Sequence, residues 1–228
     1  MSVPKPLTFI GIFFLDALLL LLSLKYNQYF FLLSTFMIIV SMLPIIWRFE
    51  RRPLSAEEVI LIAVLSALGA IARVPFSALP SVQPTSFIII LTGVIFGGET
   101  GFLVGALSAL ASNLILGQGP WTLWQMFAWS MMGLSSGLFS HKLYDKASFT
   151  LCLFGFVWGF LFGWIMNIWS VFAFFDRITL SLFLTSMATS LYFDLSHAIG
   201  NVVFLVLFSK SWFQILGRVQ IKYGLLHS

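Results

Sequence analysis

Asp194, His197 and Asn201 stand at steps of three and four in the stretch FDLSHAIGN, so a helix there carries a carboxylate, an imidazole and an amide on one face. These groups can hold a polar ligand, orient one another, or tie one helix to its neighbour. Trp121, Trp124 and Gln125 stand at i, i+3 and i+4 in WTLWQ, which offers two indole faces for stacking with an amide beside them. Asn113 precedes that stretch, and Asn167 and Trp169 fall in a later apolar run. Arg73 closes an apolar run of its own, while Gln83 and Gln118 lie in Pro- and Gly-containing segments. Polar groups without partners are costly in hydrocarbon, so all of these should face one another or a shared cavity.

Each residue also has a structural reading. Asp194 and His197 can form an ion pair that only holds helices together. Asn113 and Asn167 can bond neighbouring helices. Trp121 and Trp124 suit an interfacial aromatic belt, and Arg73 can snorkel to headgroups. Asp16, deep in the first apolar run, has no evident partner near it in sequence.

Catalytic chemistry finds little support. There is no GxxxxGK[ST] phosphate loop and no His-Glu-x-x-His pair, and His197 has no second histidine near it in sequence. Ser196 beside His197 on one continuous helix points away from it, as a nucleophile would not. The single cysteine, Cys152, excludes an intramolecular disulfide and argues against a thiolate metal cluster. An enzyme is therefore a weaker class than a binding or transport protein, with a structural or assembly protein as the third class.

The elements that position these groups are membrane helices. Hydrophobic residues make up 60% of the 228, charged residues 9%, and mean hydropathy is +1.02, far outside the range of soluble domains. Apolar runs long enough to cross a bilayer recur along the chain. They predict helices over 7–24 and 28–48, then 57–73, 86–96, 101–116, 121–140, 149–173 and 188–209. The first run lacks a small-residue cleavage site and reads as a retained anchor. The run over 86–96 is short for a span, so either it extends into Gly97 and Gly98 or the hairpin it forms with the next helix stops below the membrane surface; the extension is expected. Continuous apolarity, not alternation, argues against a barrel.

With the amino terminus inside, Lys5, Arg48, Arg51, Arg52, Lys142, Lys146, Lys210, Arg218 and Lys222 are cytoplasmic, nine of the 12 basic residues. Lys25, Arg73 and Arg177 remain outside. This asymmetry accounts for the net charge of +4 without any nucleic-acid partner. Trp47 and Trp212 then fit an interfacial belt. Three outer segments cap the polar helix ends: 74–84, the turn at 117–120, and 174–187 with Asp176 and Arg177. The polar residues above converge beneath them on one outward-facing pocket.

Small residues mark the 57–73 helix. Ala63, Ser66, Ala67 and Ala70 share neighbouring faces, so another helix can approach closely. The AVLSA segment, the loop VPFSALPSVQPTSF, the GGETG hairpin turn and FDLSHAIGN together resemble the S component, or substrate-binding subunit, of energy-coupling factor (ECF) vitamin transporters. The resemblance covers residues 57 to about 210. It implies an all-α integral membrane protein with a six-helix core over 53–228, preceded by two additional transmembrane helices in 1–52. It further implies a multi-pass protein of the bacterial cell membrane, both termini cytoplasmic, with no ATP site of its own. Its partners would be a transmembrane coupling protein, docked on Ala63, Ser66, Ala67 and Ala70, and two cytoplasmic ATPases. Within the family the chain is most similar to the cobalamin-specific members, with riboflavin, folate or a deazapurine as alternatives. The resemblance implies no cofactor and no resident metal, the vitamin being cargo. The binding residues expected are Arg73, Gln83, Asn113, Gln118, Trp121, Trp124, Gln125, Asn167, Asp194, His197 and Asn201.

Overall fold

Ser55 accepts the Glu58 amide while the Glu58 carboxylate accepts the Ser55 amide, and this reciprocal cap starts α1 (Ala56–Arg73). The computed structural model describes residues 55–144, 149–175 and 177–224, together with isolated positions between 29 and 43. The expected helix over 7–24 with Asp16, most of 28–48, and Lys5, Lys25, Trp47, Arg48, Arg51, Arg52, Lys146 and Asp176 lie outside the described residues. Residues described between 32 and 43 are helical. Ile38 and Met42 there pack with Phe102, Ala106 and Trp124.

After α1 the chain coils through tight turns, with the Ser77, Leu79 and Val82 amides each bonding three residues back. Ser81 takes the left-handed conformation at φ 57°. α2 (Pro84–Phe96) opens on Pro84, whose missing N–H costs nothing in a first helical turn. The expected extension into Gly97 and Gly98 does not occur. Gly97 adopts φ 90°, and α3 (Gly98–Leu116) begins directly after it. At 13 residues, α2 spans only about 20 Å. That length suffices because every residue of α2 is buried, so protein and not lipid surrounds it.

α4 (Trp121–Leu138) ends two residues earlier than expected and is followed by the single turn α5 (Ser140–Leu143). α6 (Phe149–Phe174) and α7 (Leu180–Tyr223) form a long antiparallel pair. α7 is the largest departure from expectation. It runs for 44 residues, where the apolar pattern marked only 188–209. The expected outer segment over 174–187 shrinks to 175–179, and Thr179 caps the helix by accepting the Leu182 amide. The added carboxyl-terminal turns are held by packing. Phe213 and Leu216 are buried, the Tyr144 ring meets Phe213 edge-on at 5.2 Å, and Gln220 Nε2 donates to the Ile95 carbonyl at 2.8 Å. That bond satisfies a carbonyl in the last turn of α2.

Among the described residues there is no strand, and α3, α6 and α7 are each long and apolar enough to cross a membrane. Glycines set the closest approaches. A Cβ on Gly101 would meet the Gly133 carbonyl oxygen at 2.6 Å, so α3 and α4 pack backbone to backbone. Gly155, Gly159 and Gly163, four residues apart on α6, face α7: Gly159 lies against the Ala198 backbone, while Gly155 and Gly163 make room for the Leu205 and Asp194 side chains. The core centres on α2, with Trp129, Phe162 and Leu205 closing around it.

Candidate functional site

The bundle has a loop end, carrying 74–83, 117–120 and 175–179, and an opposite end carrying Lys142, Lys210, Arg218 and Lys222. Near the loop end is a cavity of about 270 Å³. Ser81 and Gln83 line it from the turns before α2, and Gln125 from α4. Phe162, Gly163, Met166 and Asn167 come from α6; Ser190, Phe193, Asp194 and His197 come from α7. Five expected binding residues thus share one wall: Gln83, Gln125, Asn167, Asp194 and His197.

Asp194 and His197 do not bond to each other. Asn167 Nδ2 donates to Ser190 Oγ at 2.6 Å, and Ser190 Oγ stands 2.9 Å from Asp194 Oδ2, to which it donates. His197 is bound across the core instead, its Nε2 lying 2.7 Å from Ser86 Oγ. Trp129 Nε1 also donates to Ser86 Oγ at 3.1 Å, and the Phe162 ring meets the imidazole edge-on at 4.8 Å. A serine bonded to a histidine resembles half of a hydrolytic pair, but Ser86 is wholly buried and already accepts from an indole. It positions His197 and presents no nucleophile to the cavity.

Arg73 and Asn113 stand behind the wall. Arg73 Nη1 donates to Ser112 Oγ at 2.9 Å and to Asn113 Oδ1 at 2.8 Å, with the guanidinium 5.2 Å from the Trp129 ring centroid. Asn113 Nδ2 in turn donates to Thr122 Oγ1 and to Gln125 Oε1 at 3.0 and 2.8 Å. Gln118 Oε1 accepts from Thr122, and Gln118 Nε2 donates to the Leu110 carbonyl. One hydrogen-bonded chain therefore runs from Arg73 through Asn113 to Gln125 on the cavity surface.

Three expected residues point elsewhere. Trp121 stacks edge-on against Trp169 at 5.8 Å, outside the lining. Trp124 is buried in the second apolar cluster with Ile38 and Met42. Asn201 Nδ2 donates to the Gly155 carbonyl at 2.9 Å and joins α7 to α6. The small-residue helix also divides. Ala63 and Ala67 are exposed, whereas Ser66 and Ala70 are buried, the Ser66 carbonyl accepting from Ser108.

Ser190 was missed, although its place one turn before Asp194 on the same helix is a signal that could have found it. Ser86, Trp129 and Phe162 carried no such signal, because they reach His197 from other helices.

Residues 54–212 match the family model described as "ECF-type riboflavin transporter, S component". A UPF0397 protein of Aliivibrio fischeri strain MJ11 is 31% identical over 124 residues, covering 47% of this chain and 67% of that protein. A UPF0397 protein of Vibrio atlanticus strain LGP32 is 32% identical over 90 residues, covering 37% and 49%. No solved structure matches.

Proposed function

Because the chain belongs to the family of ECF-type riboflavin transporter S components, we propose that it is a substrate-capture subunit that binds a vitamin-class molecule in the loop-end cavity. It is a membrane-embedded transport subunit. The observation that carries the choice of site is the cavity itself: a buried polar wall from α4, α6 and α7 beneath the turns 74–83. Sites of this kind are apolar clefts with a few convergent polar groups. The six-helix substrate-binding core expected over 53–228 is read onto α1–α4, α6 and α7. The loop end faces outward and both termini face the cytoplasm, in keeping with the placement of Lys and Arg.

ATP-driven import then requires a coupling protein and two ATPases. Ala63 and Ala67 offer the docking stripe, being exposed and small enough for close helix approach.

Cobalamin is the substrate expected from the sequence resemblance, with riboflavin, folate or a deazapurine as alternatives. A volume of about 270 Å³ suits a bicyclic or tricyclic ring system, since drug-sized ligands occupy sites of roughly 300–1,000 Å³. A corrin enters only if the 74–83 and 175–179 loops part. The volume therefore favours the smaller alternatives over cobalamin in this conformation.

The test is co-expression with a coupling protein and two ATPases, followed by uptake into ATP-loaded vesicles. ATP-dependent accumulation of one vitamin is the expected result. Absence of any assembly with the coupling module would overturn the reading.

A further inference from the structure

The cavity wall is unequal in its hydrogen-bonding character. Asp194 is 3% exposed, and among the described residues only its Oδ2 accepts a hydrogen bond, from Ser190. No cation neutralises it among the described residues. Arg73 is engaged with Ser112, Asn113 and Trp129, and Arg177 is exposed in the 175–179 loop. His197 is committed through Nε2 to Ser86. A second lining acceptor, Gln83 Oε1, is buried and has no hydrogen-bond partner among the described residues. Among the lining side chains no Lys or Arg is present. A buried carboxylate and an orphaned amide oxygen on one small cavity demand donors, because unpaired acceptors are costly to bury.

Resting on the S-component reading, we propose that Asp194 is a specificity-determining residue that selects a ligand bearing a nitrogen cation or an amidine-type N–H edge, with Gln83 Oε1 as second acceptor. The carboxylate takes the cation or a pair of N–H donors through charge-assisted hydrogen bonds. Anionic ligands are rejected, since nothing on the wall would compensate a second negative charge. A 2-amino-4-oxopyrimidine edge, as in a deazaguanine, satisfies this wall. The isoalloxazine edge of riboflavin presents one N–H between two carbonyls and so offers the carboxylate no pair of donors, and folate brings further carboxylates to it.

The experiment measures binding of four probes to the purified full-length chain by titration calorimetry: 7-aminomethyl-7-deazaguanine, thiamine, riboflavin and cyanocobalamin. One of the two nitrogen cations should bind about tenfold or more tightly than the other pair. Asp194→Asn should remove that preference, with the melting temperature of the ligand-free protein near parental. Gln83→Leu, at the start of α2, should weaken the same probe and serves if Asp194→Asn does not fold. Tightest binding of riboflavin or cyanocobalamin, unchanged cation affinity in the variants, or no binding by any probe would each overturn the assignment. Co-purification of the parental chain with the coupling module is scored separately, so the carboxylate assignment can fail while the S-component reading stands.

Discussion

Gly163 lies against the Asp194 carboxylate so closely that a Cβ at 163 would overlap Asp194 Oδ1. The glycine on α6 is what leaves room for a charged group of α7 inside the bundle. Gly163→Ala should displace the carboxylate and weaken ligand binding. It should also destabilise the fold by about 1–3 kcal/mol, as overpacking does. Gly200→Ala is the control, since a Cβ there meets Val82 only at ordinary contact distances of 3.6 and 3.8 Å. Melting temperatures and dissociation constants of the two variants should separate clearly.

His197 bonds across the core to Ser86 and also lines the cavity. Its removal leaves Ser86 without a partner on one side and opens a void beside Phe162 and Trp129. His197→Ala should therefore lower the melting temperature of the ligand-free protein, at a cost of about 1–3 kcal/mol for the unpaired group. It should also weaken binding. A variant with parental stability would show that the Ser86 bond holds nothing in place.

Ala63 and Ala67 differ from Ser66 and Ala70 in the direction they face. Ala63→Leu with Ala67→Leu should leave ligand binding near parental and reduce transport, because bulk on an exposed stripe blocks only the approach of a partner helix. Ala70→Leu should instead destabilise the protein, being driven into the α1 packing surface. Parental uptake by the double variant would remove the docking assignment.

Asn113 is the joint between Arg73 and the cavity surface. Asn113→Ala strands the Gln125 amide oxygen and removes one acceptor from Arg73. The expected cost is about 1–3 kcal/mol, the usual penalty for leaving a buried polar group unsatisfied. Ligand affinity should fall as Gln125 loses its fixed orientation. Gln125→Ala removes the lining group itself and should give a similar affinity loss with a smaller effect on melting.

The sequence by itself determined the class of this protein. Apolar runs, sparse charge and the AVLSA and FDLSHAIGN segments sufficed, because hydrocarbon permits few backbone solutions and helix periodicity is local. It likewise placed Asp194, His197 and Gln125 on faces that meet at one cavity. Two features were hidden. Hydropathy marks where a chain can touch lipid, so the polar turns of α7 beyond Ser209 left no mark, although Leu216 is buried and Phe213 and Gln220 hold them against Tyr144 and α2. The run over 86–96 read as short for a span, but its enclosure was equally opaque, since only the surrounding helices decide that lipid never reaches it.

Tertiary structure alone decided the partners. Asp194 and His197, neighbours on one helix face, bond instead to Ser190 and Ser86. Trp124 turns to Ile38 and Met42, and Asn201 to Gly155, although their spacing matched that of residues lining the cavity. Spacing assigns a side chain to a face of its helix. What stands opposite that face depends on the rotation and approach of other helices, set here by glycines such as Gly159 and Gly163 whose contacts lie tens of residues away.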